Sequence, residues 1–136
     1  MAQKIIISGC NGHMGRVVES ICAADPSVIV VAGFDVNQAS RDYPVYVSPA
    51  NFTGEADAVI DFSSPAALDG LLSFALERKV PLVLATTGYS PEQLEQIQEA
   101  SKSVAIFRSA NMSLGINVLL ELVKKASAVL GDSYDI

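Results

Sequence analysis

The stretch IIISGCNGHMG, residues 5–15, decides the fold. It opens with three isoleucines, a pattern typical of a strand that is buried on both faces. Gly9, Gly12 and Gly15 follow, and a helical pattern begins at Met14. A glycine-rich turn between a buried strand and a helix is typical of a dinucleotide-binding domain. The spacing is G-x-x-G-x-x-G rather than the commoner G-x-G-x-x-G. The assignment of a dinucleotide-binding turn therefore depends mainly on the strand before it and the helix after it.

Each glycine of this turn is expected to have its own function. Gly9 allows the tight turn, Gly12 lets the backbone approach a pyrophosphate, and Gly15 lets the helix pack close to the strand. The pyrophosphate then lies on free N–H groups at the positive end of the helix dipole.

The alternation of strand and helix continues along the chain. Apolar runs predict strands at Lys4–Ser8, Val28–Phe34, Ala58–Phe62, Pro81–Ala85 and Val104–Phe107. Helical periodicity predicts helices at Met14–Ala24, Pro65–Arg78, from Ser90 onward, and at Leu114–Leu130. This order indicates an α/β domain of the Rossmann type, doubly wound, with a mainly parallel sheet and helices on both faces.

Local signals refine the ends of these elements. Ser64, followed by a proline, is placed to cap the second helix, and residues 90–93 form a capping-box pattern. Gly131 is expected to end the last helix. Residues 35–53 are rich in turn formers and predict a loop, with a short strand at Val45–Val47.

An aspartate follows the second strand. Asp35 lies twenty residues after Gly15, where a carboxylate can accept hydrogen bonds from both hydroxyls of an adenosine ribose. Its charge repels a 2′-phosphate, and Val36 and Asn37 supply no arginine directly after it. These features favour NAD over NADP, although Arg41 is close enough in sequence to weaken that preference. The alternative interpretation is a solvated loop aspartate.

Two further segments follow the fourth and fifth strands. Residues 85–88 (ATTG) and 109–113 (SANMS) lie where open α/β sheets bind ligands, at the carboxyl ends of parallel strands. Small residues and hydroxyls there let backbone amides reach a ring such as nicotinamide. Each segment is also compatible with a simple turn, with Thr87 or Ser113 as a helix cap. Asp61 is similarly either catalytic or, more in keeping with its position, a hydrogen-bonded turn residue.

Composition excludes several classes of protein. The 136 residues fit one domain, and 50% hydrophobic with 18% charged residues excludes a disordered chain. Nine basic against fifteen acidic residues, with no basic cluster larger than Lys124-Lys125, disfavour nucleic-acid binding. Apolar runs are far shorter than the ~20 residues of a membrane span. The N-terminus lacks the pattern of a signal peptide, so a cytoplasmic location is expected.

Metal and triad chemistry are also disfavoured. Cys10 and Cys22 are too few and too far apart for a zinc site and are expected to be thiols. The single histidine, His13, lies in the glycine turn, so no Ser/His/Asp triad can be built.

Four segments in order resemble a known family. They are residues 9–15 (GCNGHMG), 59–65 (VIDFSSP), 85–88 (ATTG) and 110–117 (ANMSLGIN). Together they resemble the N-terminal half of dihydrodipicolinate reductase, also called 4-hydroxy-tetrahydrodipicolinate reductase. The resemblance covers essentially the whole chain, and the last two segments are more specific than the glycine triplet.

The resemblance implies a reductase of the diaminopimelate and lysine pathway, which transfers hydride from NAD(P)H to a cyclic dicarboxylate. It also implies contacts with the cofactor along the chain. The residues implied are Gly9, Cys10, Asn11, Gly12, His13 and Met14 for the pyrophosphate, Asp35 for the ribose, Ala85, Thr86 and Thr87 for the nicotinamide, and Ser109, Ala110, Asn111 and Met112 as a further cofactor-contacting stretch.

The chain departs from the family pattern in a few places. His13 replaces a frequent arginine, Ala85 replaces the usual glycine, and Ser109 and Ala110 replace an Ala-Pro or Ala-Ala pair. The loss of the arginine bears on the affinity for NADPH, so NADH is the favoured cofactor.

The family's catalytic segment, His-His-Arg-His-Lys followed by Asp-Ala-Pro-Ser-Gly-Thr, is expected beyond Ile136. Residues 1–136 are therefore expected to form the dinucleotide-binding domain of an enzyme whose catalytic and substrate domain is absent from this chain. The catalytic histidine and lysine, the dicarboxylate-binding residues and the sheet that forms the family's homotetramer all belong to that absent part. The chain alone is expected to bind cofactor without catalysis, and its own oligomeric state is left open.

Three alternatives remain. The nucleotide domain of another dehydrogenase, such as an aspartate or homoserine dehydrogenase, is disfavoured by residues 110–117. A stand-alone NAD-binding or sensing module is not separated from a reductase domain by the sequence. A structural domain that has lost nucleotide binding is disfavoured by the intact glycines and Asp35.

Overall fold

The architecture comes from a computed structural model, which describes residues 2–109 and 112–131. Strands and helices alternate along the described chain. They are β1 (Gln3–Ser8), α1 (His13–Ala24), β2 (Val28–Phe34), β3 (Val45–Tyr46), β4 (Ala58–Asp61), α2 (Leu68–Arg78), β5 (Leu82–Leu84), α3 (Pro91–Ala100), β6 (Ile106–Arg108) and α4 (Leu114–Leu130). Short 3₁₀ turns at Pro49–Asn51 and Pro65–Ala67 precede β4 and α2.

All strand pairs in the sheet are parallel, in the order β3-β2-β1-β4-β5-β6. The order reverses between β1 and β4, so the chain leaves these two neighbouring strands toward opposite faces of the sheet. A crevice forms at their carboxyl ends, which is where ligands of such sheets bind. The predicted Rossmann-type fold class is confirmed.

The core lies on both faces of the sheet, because the central strand is apolar at every inner position. Ile6 joins the larger cluster with α2 and α3, whereas Ile5 and Ile7 pack on the opposite face together with Cys10. Three rings, Phe34, Phe52 and Phe74, meet with centroids 5.6–6.4 Å apart and close the larger cluster beside β2. Burial of consecutive isoleucines explains why β1 shows no apolar–polar alternation.

Two predicted boundaries are wrong by two or more residues, whereas the other predicted ends of strands and helices agree within one residue. The fifth predicted strand begins at Ile106 instead of Val104, because the Val104 N–H donates to the carbonyl of Ala100 (3.1 Å) in the turn that ends α3. Ser64 does not cap α2 with its side chain. Its carbonyl accepts the N–H of Ala67 (3.0 Å) in a 3₁₀ turn, and α2 begins only at Leu68.

The other local predictions are confirmed. The Ser90 Oγ accepts the N–H of Gln93 (3.3 Å), and the Gln93 side chain accepts the N–H of Ser90 (3.0 Å), which is a complete capping box. Gly131 follows α4 with a positive φ of 63°. The short strand inside residues 35–53 is β3, one residue shorter than predicted.

Helix α4 differs from the rest of the molecule. None of its described side chains is buried, although apolar residues dominate it, and Leu114 and Val129 are 80% and 85% exposed. Across the described residues, no helix has both the length and the apolar character needed to cross a membrane.

Candidate functional site

The glycine turn between β1 and α1 is built by close backbone contacts. Gly9 has a φ of +76°, and a Cβ on it would lie 2.7 Å from the carbonyl oxygen of Phe62. A Cβ on Gly15 would overlap the carbonyl oxygen of Gly9. Gly15 therefore lets α1 approach the turn itself, whereas the sequence predicted a close approach to the strand. Only glycine fits either position without a shift of the backbone.

The amino end of α1 is open to an anion. Gly12 is its N-cap residue and provides no capping side chain, and the first turn has no acidic residue. A Cβ on Gly12 would meet only the carbonyl of Gly9, at 3.2 Å, and the residue is exposed. Uncapped N–H groups, the helix dipole and the missing Cβ together fit a pyrophosphate.

Asp35 connects the glycine turn to the end of β2. Its Oδ2 accepts the backbone N–H of Asn11 (2.9 Å), and its Oδ1 accepts the N–H of Asn37 (2.8 Å). The carboxylate is half-buried and lines the same cleft as Gly12. The alternative of a freely solvated loop aspartate does not describe this geometry.

Arg41 makes hydrogen bonds to the same turn. Its Nε donates to Asn11 Oδ1 (2.7 Å), its Nη2 to the Cys10 carbonyl (3.2 Å), and its Nη1 to Glu19 Oε2 (2.9 Å). The Asn11 side chain in turn donates to the carbonyls of Asn37 (2.5 Å) and Ala39 (3.3 Å). These contacts hold the loop after β2 against the glycine turn.

A cleft of about 640 Å³ opens between these elements. It is lined by the glycine turn, by the residues after β2, by Val47–Pro49, and by parts of 62–71. Sequence reasoning assigned no role to Val47–Pro49, because loop composition alone does not say which face a loop presents. The position of residues 62–64 directly after β4 was an available signal, since strand ends line such clefts.

The second group of predicted residues lies beyond β4, at the ends of β5 and β6. The Ala85 N–H donates to the Asp61 carbonyl (3.0 Å), and the Ser109 N–H donates to the Leu84 carbonyl (3.2 Å). Thr86 is buried and Thr87 is exposed. Ala110 and Asn111 lie outside the described residues.

The remaining residues of that stretch lie at the start of α4. Met112 is 42% exposed. Ser113 accepts the N–H of Ile116 with its Oγ (3.4 Å), which confirms it as a helix cap. Thr87 has no such function, because Ser90 caps α3.

Asp61 is fully buried at the end of β4 and forms a hydrogen-bonded turn. Its Oδ1 accepts the Ser63 N–H (3.2 Å) and Ser63 Oγ (2.5 Å), and its Oδ2 accepts the Tyr89 hydroxyl (3.4 Å). Burial, and next the charge of Asp61, raise the pKa of Tyr89 to about 12. Tyr89 therefore remains a proton donor at neutral pH, and the turn interpretation of Asp61 fits these bonds.

Three further residues named from the sequence divide between core and surface. The Cys10 side chain is fully buried on the α1 side of the sheet and packs on Gly33. Any contact of Cys10 with a cofactor is thus restricted to its backbone. His13 and Met14 begin α1 and are exposed. Within residues 2–109 and 112–131, no three His, Cys, Asp or Glu side chains form a potential metal site.

Comparison with known proteins gives a consistent result. The family model described as "Dihydrodipicolinate reductase, N-terminus" matches residues 3–112. The 4-hydroxy-tetrahydrodipicolinate reductase of Caldanaerobacter subterraneus subsp. tengcongensis is 52% identical over 136 residues, which is 100% of this chain and 54% of that protein. The enzyme of the same name from Clostridium tetani is 45% identical over 134 residues, 98% of this chain and 52% of that protein.

Solved structures agree at the level of the fold. A dipicolinate-bound dihydrodipicolinate reductase from Paenisporosarcina sp. TG-14 superposes with a TM-score of 0.80 at 22% identity, over 94% of this chain and 54% of that one. A myo-inositol dehydrogenase from Corynebacterium glutamicum reaches 0.66 at 16% identity, over 97% and 43%. The chain thus spans about half the length of the curated relatives it matches. Because the family model covers most of its residues and the relatives match along 98–100% of them, the chain belongs to the dihydrodipicolinate reductase family and corresponds to its N-terminal portion.

Proposed function

We propose that residues 1–136 form the dinucleotide-binding domain of a 4-hydroxy-tetrahydrodipicolinate reductase. Such an enzyme reduces a cyclic dicarboxylate with hydride from NAD(P)H in diaminopimelate and lysine biosynthesis. The observation that carries the proposal is the position of the Gly9–Gly12 turn. It lies at the reversal of strand order, on one cleft with the Asp35 carboxylate.

The chain's own residues would bind and orient the cofactor. The turn residues Gly9 to Met14 hold the pyrophosphate, and Asp35 accepts hydrogen bonds from the adenosine ribose. Ala85, Thr86 and Thr87 line the nicotinamide, with the stretch Ser109 to Met112 as a further contact. When bound, the nicotinamide supplies the hydride, and the protein's contribution is to position it.

The charges around Asp35 support a preference for NADH. Val36 is 87% exposed and Asn37 is neutral, so neither offers a positive charge to a 2′-phosphate. Arg41, the nearby cation that weakened the prediction from sequence, is engaged by three protein acceptors. A 2′-phosphate at this end of the cleft would meet the Asp35 carboxylate, whose charge repels it.

We place the catalytic machinery outside this chain. The catalytic and dicarboxylate-binding residues belong to the half of the relatives that the chain does not match. The full enzyme would be a cytoplasmic homotetramer with small-molecule partners and no nucleic-acid partner. The 136-residue chain alone would bind cofactor without reducing substrate, and turnover by the purified chain would contradict this part of the proposal.

Calorimetric titration with NADH and with NADPH tests the binding function. We expect NADH to bind more tightly than NADPH. Gly12→Val should abolish binding of both, because its side chain would occupy the anion site. Its Cβ would also lie 3.2 Å from the Gly9 carbonyl oxygen, so the unfolding temperature is measured to verify that the variant is folded. Gly115→Ala, in α4, is the matched control and should bind like wild type. If wild type binds neither nucleotide, the proposal for this chain is wrong.

A further inference from the structure

We propose that Glu19, a residue outside the cleft, determines which dinucleotide the site accepts. It does so by holding the Arg41 guanidinium in an ion pair with α1, so that the guanidinium is not free to bind a ribose 2′-phosphate. The inference rests on the proposed function, since it concerns the selectivity of that same site.

The first step is the state of the Arg41 side chain. Each of its three nitrogens donates to a different acceptor: the Asn11 carboxamide, the Cys10 carbonyl and the Glu19 carboxylate. Its side chain is only 18% exposed. Arg41 is therefore held in one orientation by the protein, instead of extending from its loop toward solvent.

The second step is the nature of the Glu19 contact. Among the three acceptors of Arg41, Glu19 is the only charged one. Its carboxylate lies 2.9 Å from Nη1, and its side chain is 23% exposed. Hydrogen bonds between charged groups are about twice as strong as neutral ones, and partial burial limits screening by salt. The ion pair is therefore the contact that decides where the guanidinium lies.

The surroundings of this ion pair support the assignment. Glu19 belongs to α1, and Tyr43 packs from the loop after β2, where burial and the charge of Glu19 raise the pKa of its hydroxyl. Tyr43 thus stays neutral and brings no competing charge to the pair. The ion pair joins α1 to the very loop that carries Asp35 and Asn37.

The third step is the consequence for recognition. Asp35 lines the cleft, and its carboxylate repels a 2′-phosphate. Arg41 lies six residues further along the same loop. Without the charge of Glu19, the guanidinium keeps only neutral acceptors, and a dianionic phosphate can compete for it by a bidentate contact. Removal of the Glu19 charge should thus improve NADPH binding specifically.

The test compares NADH and NADPH affinities of four proteins by calorimetry: wild type, Glu19→Gln, Arg41→Met and the double variant. Glu19→Gln should shift the affinity ratio toward NADPH by roughly 5–10-fold. The double variant should lose that shift, because the cation that produces it is gone. Arg41→Met alone should not favour NADPH.

Several results would overturn the inference. If Glu19→Gln weakens both nucleotides equally, Glu19 has only a structural role. If the double variant keeps the shift, Arg41 is not the group released. Unfolding temperatures identify a variant that fails to fold. If Glu19→Gln fails to fold, Glu19→Asp replaces it. Glu19→Asp keeps the charge but withdraws it from Nη1, so it must shift the affinity ratio toward NADPH as well. If wild type and Glu19→Gln both bind NADH with the same ratio of NADH to NADPH affinity, this inference alone is overturned. If wild type binds neither nucleotide, the proposed function is overturned as well.

Discussion

At the scale of single residues, Gly9 shows how strictly the glycine turn is determined. Its φ of +76° disfavours a side chain, and the space for a Cβ is taken by the backbone of Phe62 and Ser63 at 2.7–2.9 Å. Backbone atoms cannot move aside as the end of a flexible side chain can. Gly9→Ala is therefore expected to lower the free energy of unfolding by about 2–3 kcal/mol.

Denaturant unfolding checks this prediction. Gly115→Ala provides the comparison, because a Cβ there meets only Ser113 Oγ at 3.8 Å, and its effect should stay within about 0.5 kcal/mol. Equal stability of the Gly9→Ala variant and wild type would contradict the prediction, because it would show that the turn can accommodate a Cβ at Gly9.

The buried thiol of Cys10 makes the stability of the folded chain fall at alkaline pH. Burial, and next the charge of Asp35, raise the pKa of its thiol from 9.0 to about 11. Between these values the unfolded chain has released a proton that the folded chain still holds. The stability that depends on this thiol is therefore complete below pH 9 and is lost as the pH rises toward 11.

The measurement is denaturant unfolding of wild type and Cys10→Ala at several pH values from 7 to 11. The variant is expected to show a flatter fall of stability above pH 9, whatever its stability at pH 7. Parallel curves for the two proteins would mean that the folded thiol titrates at its ordinary value.

At the scale of elements, two helix starts look alike in sequence but differ in structure. Both have a serine followed by a proline near their start, at residues 64–65 and 90–91. Ser90 caps α3 with its side chain, whereas Ser64 precedes a 3₁₀ turn and caps nothing with its hydroxyl. Ser90→Ala is expected to cost about 1 kcal/mol in the free energy of unfolding, and Ser64→Ala close to zero. Thermal or denaturant unfolding of both variants checks this, and equal costs would contradict it.

The elements that the sequence predicts are those specified by local pattern. The isoleucines at 5–7 and the capping box at 90–93 depend on neighbours in the chain, so periodicity and spacing are enough to find them. The start of β6 was not predictable in this way. Val104 is β-branched and apolar, as strand residues are, but its N–H donates to the Ala100 carbonyl at the end of α3 instead of to a neighbouring strand.

The candidate site likewise has a part that could be predicted from local sequence and a part that could not. The glycine turn and Asp35 are adjacent to strand ends, so their arrival at one cleft follows from the parallel topology. The contacts of Arg41 with Asn11 and Glu19 join residues 30 and 22 positions apart. No spacing rule connects them, since they depend on how a loop without regular structure folds back on the turn.

At the scale of the whole molecule, stability is unevenly distributed. Leu71 in α2 is 1% exposed within the larger core cluster, whereas Leu122 in α4 is 58% exposed. Leu71→Ala is expected to cost about 2–5 kcal/mol, because it leaves a cavity. Leu122→Ala should change stability by less than about 0.5 kcal/mol. Denaturant unfolding of the two variants tests this, and comparable costs would show that α4 packs against the domain in solution.

The position of the cleft-lining residues in the sequence has a consequence for translation. Every residue lining it falls within Ser8–Leu71, and no described residue among the 65 that follow contributes to its surface. A ribosome adding ~5–20 residues per second needs roughly 3–13 s to make that remainder. The walls that we propose for the adenosine half of the cofactor are thus all synthesised seconds before α3, β6 and α4 exist. A nascent chain stalled after α2 would already contain all the described residues that line this proposed cleft.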